Sequence, residues 1–262
     1  MKLTTLHRIG WLLLAAVAVF AAFGPALTGT DPFAQDLRAF LQAPGLAHPL
    51  GTDHLGRSML ARLADAAQLS LGLAALSVLS AAIPGTVLGI LAAWYGGALE
   101  KVLLFISDSV LALPGLLLVL LLATLAPGEF WPLYLGLSLA FWVEYFRVVR
   151  ASARTLFASP GVEASLLLGF GLGYIVRRHV WPELAPVVRT LASFGLAAAV
   201  LAMAALGFVG VGVKPPRPEL GVMMTELLPY YQEAPWLIAA PVGLLATTLL
   251  ALILIQHEEK NA

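Results

Sequence analysis

The feature that most constrains this chain is a series of long stretches without a single charged residue. They comprise the residues between Arg8 and Asp31, and residues 66–99, 190–213 and 234–256. A helix needs about 20 mostly apolar residues to cross the hydrocarbon core of a bilayer. Because each stretch is long enough, the sequence predicts an all-α integral membrane protein.

Two further apolar stretches carry a few ionisable residues. Residues 102–126 contain Asp108, and residues 130–149 contain Glu144 and Arg147 in their final turns. Only 11% of the 262 residues are charged, whereas a soluble domain carries about 25%. We therefore predict about six transmembrane helices.

The predicted organisation is an N-terminal transmembrane helix at 1–27, a hydrophilic loop at 28–65 and a transmembrane core at 66–256. The first span has a second interpretation, because Lys2 and Arg8 precede its apolar centre as they would in a cleaved signal peptide. No clean small-x-small cleavage site follows that centre, which favours a retained helix.

Basic residues predict the orientation, because Lys and Arg are retained in short cytoplasmic loops. Two cytoplasmic termini put ten of the 15 basic residues inside and five outside. The predicted inner set is Lys2, Arg8, Lys101, Arg147, Arg150, Arg154, Arg177, Arg178, Arg189 and Lys260. Segment 28–65 then faces outward, and segment 150–189 is the longest cytoplasmic loop.

Segment 150–189 contains two short helices in this prediction. Ser159 and Pro160 give a helix start with Glu163 just inside it. Three glycines, Gly169, Gly171 and Gly173, would break that helix, and Pro182 would end the next one. From the residues alone, an ordinary amphipathic interfacial helix with no partner stays an alternative.

The same segment carries a family resemblance. Glu163-Ala164-Ser165, then Gly169, then Val180-Trp181-Pro182 resembles the EAA loop of bacterial binding-protein-dependent ABC importer permeases, with Ser165 in place of the usual Ala. In that family the loop is the coupling helix that docks into a groove on the ATPase subunit, a helix-in-groove contact. The resemblance implies this role for Glu163, Ala164, Ser165, Gly169, His179 and Pro182.

Further matches follow in the family's order along the chain. "HPLGTDHLGRSMLARL", which runs from His48 to Leu63, resembles the LGTDxxGRD segment of the peptide/nickel subfamily, with Ser58 for Asp. "DSVLALPGLLL", "WVEYFRVVR" and "GFVGVGVKPPRPELGVMM" resemble later parts of the same subfamily. The chain is thus identified as a member of its C-type permeases, the dipeptide, oligopeptide and nickel permease C subunits. Its C-terminal "LILIQHEEKNA" departs from the family's usual polar tail.

The resemblance implies the ABC type I importer permease fold and transport driven by ATP hydrolysed on other subunits. The implied partners are a second homologous permease, two cytoplasmic ATPases and an extracytoplasmic binding protein, all working at the bacterial inner membrane. ATP and Mg²⁺ would sit on the ATPases, so no cofactor is expected on this chain. The implied substrates are di- or oligopeptides, or nickel that is free or chelated, and the "GTDHLGR" and "GVMM" stretches look slightly more like the nickel branch.

The outer-loop motif consists of Gly51, Thr52, Asp53, Gly56 and Arg57. We expect Thr52 and Asp53 to cap a helix that begins near His54, with Gly51 making a tight entry. Organising the gate is the favoured role, and contact with substrate or binding protein is the alternative.

Other ionisable residues are interpreted as structural. Asp108 lies inside a span, where a charge is costly and faces protein or water, and we expect it to pair with a basic residue near the inner surface, such as Lys101. Glu144 and Arg147 are three residues apart and share a helix face, which favours local charge balance.

Two further patterns invite sharper interpretations that we do not favour. His48, His54 and His179 are isolated histidines, which are weak support for a metal site, and no metal ligand is predicted. Gly207, Gly210 and Gly212 match part of a dinucleotide loop but close a membrane span, so helix packing explains them better.

Absent motifs limit the alternatives. The dipeptide Gly-Lys never occurs, so the chain has no Gly-x-x-x-x-Gly-Lys phosphate loop, and no catalytic constellation is recognisable. We expect a transport subunit rather than an enzyme. A secondary transporter driven by an ion gradient is the rival hypothesis, and Asp108 alone is thin support for it.

Overall fold

The computed structural model describes residues 5–126 and 128–256, and these ranges are predominantly helical. The helices of the described residues are α1 Thr5–Thr28, α2 Met59–Tyr95, α3 Gly97–Leu111, α4 Gly115–Ala123, α5 Trp131–Phe157, α6 Pro160–Leu167, α7 Leu172–Ile175, α8 Trp181–Phe208, α9 Leu220–Leu227 and α10 Pro235–Gln256. Short 3₁₀ turns lie at Leu37–Ala39 and Leu228–Tyr230, and a π-helical turn lies at Val176–Val180. The predicted all-α class is confirmed. The departure at the C-terminal tail lies largely in residues 257–262, outside the described residues.

Four of the described helices are long and apolar enough to cross a membrane. They are α1, α2, α10 and the helix that runs from Leu172 to Phe208 through α7 and α8. α3 and α4 pass this test only as a pair and would make a fifth span. The fourth predicted span, 130–149, corresponds to α5, which is 27 residues long but is less apolar because Glu144, Arg147, Arg150 and Arg154 lie in it.

The third predicted span, 102–126, is not one helix as we expected. α3 ends at Leu111, α4 begins at Gly115, and the two helices are bent by 75°. Pro114 lies at the break. Proline lacks an N–H and disfavours helical conformation in the residue before it, which accounts for the position of the bend.

The fifth predicted span begins much earlier than 190. Pro182 does not end a separate short helix, as predicted, but is the second residue of α8. The helix is continuous from Leu172 to Phe208, a length of 37 residues. The π-helical turn Val176–Val180 precedes Pro182 directly, at the place where the missing N–H of proline interrupts the hydrogen-bond ladder.

The described residues form two compact units. The first contains the residues up to Ala75, Leu120–Tyr134 and the residues from Leu196 onward. Within it α1 packs along α10. The start of α2, α9 and the start of α10 share an apolar core, whose fully buried members include Met59, Met223 and Leu237.

The second unit contains Leu76–Val119 and Leu135–Gly195. Ala92 of α2, Leu103 of α3 and Phe146 of α5 form one buried cluster. Arg150 of α5 donates to the Glu100 carboxylate of α3 at 2.9 Å. Apolar contacts and this ion pair therefore join α3 to α5 inside the unit.

Candidate functional site

α6, in segment 150–189, begins at the residues that the sequence predicts. Ser159 is the N-cap, Pro160 is the first helical residue and Glu163 lies in the first turn. α6 ends at Leu167, and Gly169 follows with φ +81°. The N–H of Phe170 donates to the carbonyl of Ser165 at 3.1 Å, a bond typical of a helix that ends on a left-handed glycine.

Buried apolar side chains hold this segment in place within the second unit. Val162 of α6, Ile175 of α7 and Val180 of the π-helical turn are fully buried. They belong to one cluster with side chains of α2, α5 and α8, namely Ile90, Val149, Ala153 and Leu184. Because such burial stabilises each side chain by about 1.5–3 kcal/mol, α6 is fixed on its neighbours rather than free.

The turn between α6 and α7 presents an exposed apolar tip, which consists of Leu166, Leu167, Leu168 and Phe170. Leu167 is 84% exposed and Leu168 is 76% exposed. The ring of Phe170 stacks on Tyr174 with 4.1 Å between centroids. Soluble protein surfaces rarely leave such a cluster in water unless a protein partner or a membrane covers it.

Ser165 and His179 form a hydrogen bond that joins α6 to the π-helical turn. The Ser165 Oγ lies 2.9 Å from His179 Nε2 and also donates to the carbonyl of Gly161 at 2.9 Å. A hydroxyl has one hydrogen, so the bond to Gly161 leaves Ser165 to accept from His179. The proton of His179 is therefore assigned to Nε2.

The outer-loop motif of segment 28–65 builds a buried charge network in the first unit. The Asp53 carboxylate accepts from the Arg57 Nε at 2.7 Å and forms an ion pair with Arg62. The second Nη of Arg62 donates to Glu226 of α9 at 2.5 Å. Asp53 and Arg62 are both 0% exposed, so the centre of the network that joins the loop to α9 is shielded from water.

Hydrogen bonds to the backbone decide the charge state of Asp53. Burial by itself raises the pKa of this carboxyl. The N–H groups of Arg57 and Leu55, at 2.9 and 2.8 Å, and the Arg62 guanidinium outweigh burial, and the pKa of Asp53 lies below its ordinary value. Asp53 is therefore an anion at neutral pH.

The remaining motif residues shape the loop around this carboxylate. The Thr52 hydroxyl accepts from the N–H of Gln42 at 2.9 Å and donates to the carbonyl of Ala39. Gly51 and Gly56 have φ of +75° and +72°, and a Cβ on Gly56 would collide with the backbone of Asp36. All five predicted motif residues thus belong to one folded loop.

The predicted helix start near His54 is wrong. Asp53 accepts from Leu55 in a turn, and α2 begins at Met59, where Ser58 Oγ accepts from the N–H of Ala61 at 3.4 Å. Ser58 therefore caps the N-terminus of α2. The helix already includes residues 59–65, which we had assigned to the loop.

Asp108 forms an ion pair with a basic residue of the predicted inner set, but this residue is Arg147 of α5 rather than Lys101. Arg147 also donates to Ser107 at 3.3 Å. The predicted charge balance between Glu144 and Arg147 is thus replaced by a contact between two helices. Asp108 is 64% exposed in this single chain.

The histidines and the glycine run have structural contacts. His54 stacks on Tyr230 with 5.1 Å between ring centroids. Among the described residues, no group of three or more His, Asp or Glu side chains is arranged to hold a metal ion. A Cβ on Gly207 would lie 3.1 Å from the N of Val222, so this glycine lets α8 approach α9.

Four described helices long and apolar enough to cross a membrane, with a fifth span if α3 and α4 act as a pair, define a multi-pass membrane protein. The chain belongs to the family of binding-protein-dependent transport system inner membrane components, whose model matches residues 85–257. It is thus a permease subunit of an ABC importer, of the C type, in the bacterial inner membrane.

Curated relatives match most of the chain. A putative peptide transport system permease of Brucella suis is 34% identical over 95% of this chain and 83% of its own length. The dipeptide transport system permease DppC of Haemophilus influenzae is 31% identical over 89% and 81%. The di/tripeptide transport system permease DppC of Pseudomonas aeruginosa is 36% identical over 89% and 79%.

Two elements of the site escaped the sequence analysis. Arg62 and Glu226 complete the Asp53 network, although they are 164 residues apart and no local pattern joins them. The available signal was Arg62 itself, because an arginine next to a long apolar stretch needs a partner for its charge. The Ser165–His179 bond had no signal beyond the replacement of the family's Ala by Ser.

Proposed function

We propose that this chain is one of two membrane subunits of an ABC importer for short peptides. The names of the three relatives above support a peptide substrate, and none of them mentions nickel. The initial preference for the nickel branch rested on two short sequence stretches, and we replace it with peptides. The second membrane subunit would be a different, homologous permease.

The exposed apolar tip of segment 150–189 is the observation that carries this proposal. Glu163 and Ala164 are exposed on α6 beside the tip, whereas Ser165 points inward to His179. Apolar anchors with a flanking charge suit a helix-in-groove contact, in which the apolar groups supply affinity and the charge sets the register. The groove would belong to a cytoplasmic ATPase subunit.

The mechanism follows from rigid attachment of this tip. ATP and Mg²⁺ would bind the two ATPases, since this chain contains no phosphate loop. Closure of the ATPases would displace α6, and the buried anchors Val162 and Ile175 would transmit that displacement to the membrane helices. Transport is coupled when ATP binding and opening of the outer gate have linked free energies.

The test uses the assembled importer with its binding protein in liposomes. Glu163→Lys reverses an exposed charge at the contact, and Gly169→Val adds a β-branched side chain at a position with φ +81°. Both variants should insert normally but lose at least about tenfold in ATP-dependent uptake of a labelled dipeptide. Glu233→Lys, at an exposed residue outside segment 150–189, is the matched control. Full ATPase association and uptake in both loop variants would refute the coupling assignment.

A second measurement separates this proposal from a transporter driven by an ion gradient. The purified chain alone in liposomes should accumulate no dipeptide under an imposed proton or sodium gradient. Accumulation without nucleotide would overturn the ABC mechanism and would direct attention to Asp108. Asp108 is paired with Arg147, and it would have to release this partner in order to carry a proton.

A further inference from the structure

An open cleft in the first unit lies apart from segment 150–189 and contains no member of the Asp53 charge network. α2 contributes Asp65, Gln68 and Gly72 to its wall, and the loop after α8 contributes Arg217. Phe33 and Phe130 supply apolar surface. The proposed coupling mechanism uses none of these residues.

The side chains from α2 lie on one face of the helix. Asp65, Gln68 and Gly72 are separated by three and then four residues, the spacing of neighbours along a helix surface. Gln68 is exposed, and a Cβ built on Gly72 would meet no atom within 4 Å. This face therefore has unfilled space beside a polar row, although it belongs to a helix apolar enough to span a membrane.

The two charges of the cleft make no direct ion pair with the protein. Asp65 and Arg217 have no ion-pair partner within 4.0 Å among the described residues. Arg217 is exposed and Asp65 is half-buried. A carboxylate and a guanidinium thus face one cleft without neutralising each other by contact.

We propose that this cleft is a subsite for a zwitterionic short peptide on its way through the permease, an inference that rests on the proposed peptide function. Asp65 accepts from the terminal ammonium group, and the Arg217 guanidinium donates to the terminal carboxylate. The Gln68 amide carries both a donor and an acceptor and can bond to either peptide end. Phe33 and Phe130 contact apolar side chains of the peptide without selecting their sequence.

The chemistry of the cleft favours a zwitterion over other solutes. A bare metal cation would find a single carboxylate with a nearby guanidinium, and an anion would face the Asp65 carboxylate. A molecule with both charges satisfies both groups and leaves neither unpaired. The cleft should therefore discriminate between a peptide and the same peptide with one end blocked.

The experiment compares alanyl-phenylalanine with its N-acetyl and C-amide derivatives. Binding is measured by saturation-transfer NMR on the complex of both permeases and the ATPases in nanodiscs without binding protein, so that the permease alone selects. Uptake by the complete importer is measured in parallel. The variants are Asp65→Asn and Arg217→Gln, with Glu233→Gln and Lys214→Gln as exposed charge controls.

The wild-type complex should bind the free dipeptide at least about fivefold more tightly than either blocked form. Asp65→Asn should abolish discrimination against the N-acetyl form only, and Arg217→Gln should abolish discrimination against the C-amide only. Retention of ATPase association and basal hydrolysis shows that each variant is folded. If wild-type importer takes up dipeptide but neither variant changes the preference, the subsite is refuted and the peptide function stands. If wild type takes up no peptide, the proposed function itself fails.

Discussion

Replacing Arg62 by Met tests whether the buried charge network holds segment 28–65 onto α9. Arg62 is 0% exposed and pairs with Asp53 and with Glu226, so the substitution removes the cation shared by two carboxylates. Removing one partner of a buried ion pair costs about 3–5 kcal/mol, because the remaining charge is left uncompensated.

The structure favours the lower end of this range. Asp53 keeps the Arg57 Nε at 2.7 Å and two backbone N–H groups. Glu226 is 16% exposed and can gain water, and the Arg57 Nη2 lies 3.6 Å from it. We expect a loss of about 3 kcal/mol in the free energy of unfolding, which is roughly 6–12 °C in Tm for a chain of this size.

Thermal unfolding of the purified chain, followed by tryptophan fluorescence, measures this loss. Arg38→Met, at an exposed position of the same loop, should change Tm by less than about 2 °C, because an exposed charge contributes little to the free energy of unfolding. In a double-mutant cycle with Asp53→Asn, the combined cost should fall short of the sum by about 0.5–3 kcal/mol. Equal effects of Arg62→Met and Arg38→Met, or strict additivity in the cycle, would refute the network as a stabilising element.

Three further predictions concern other parts of the chain. Gly56→Ala should lower the free energy of unfolding by at least about 2 kcal/mol in the same assay, because alanine is strained at φ +72° and its Cβ would meet a backbone; a neutral result would contradict the loop geometry. Cysteines placed singly at the exposed Ala47 and Ala158 should label from opposite sides of the membrane, and labelling from one side would disprove the predicted orientation. Burial raises the pKa of Glu219 above its ordinary 4.5, so the folded state holds this proton more tightly than the unfolded chain. Its contribution to stability is therefore greatest below pH 4.5 and falls as the pH rises through the folded value, and Glu219→Gln should flatten that part of the stability profile measured by denaturant unfolding.

Local signals predicted local structure well. α2 ends at Tyr95, within the uncharged stretch 66–99, and α6 begins at Pro160, as the Ser159–Pro160 pair predicted. A charge gap marks a span, and a Ser-Pro pair marks a helix start, whatever the rest of the chain does. The family resemblance, which rests on ordered motifs, was confirmed for the same reason.

The ion-pair partner of Asp108 and the course of the chain at Pro182 could not be predicted from the local sequence pattern. Asp108 has Lys101 within two turns of its own helix, yet it pairs with Arg147, 39 residues away. Pro182 is a helix breaker by propensity, yet α8 continues through it because a π-helical turn absorbs the missing N–H. In both cases the outcome depends on which helices come together, and one-dimensional spacing does not contain that information.

The bend between α3 and α4 has a consequence for the surface it occupies. The last carbonyl groups of a helix have no donors from within that helix, and hydrocarbon supplies none, at a cost of several kcal/mol for each uncovered group. Residues 111–117 around Pro114 are all exposed in the single chain. The N–H groups of Ala112 and Leu113 donate to the carbonyls of Asp108 and Val110. For the remaining terminal carbonyls, water or a neighbouring protein is a better partner than lipid tails, which makes this bend a place where the chain favours contact with water or with a partner subunit over contact with lipid.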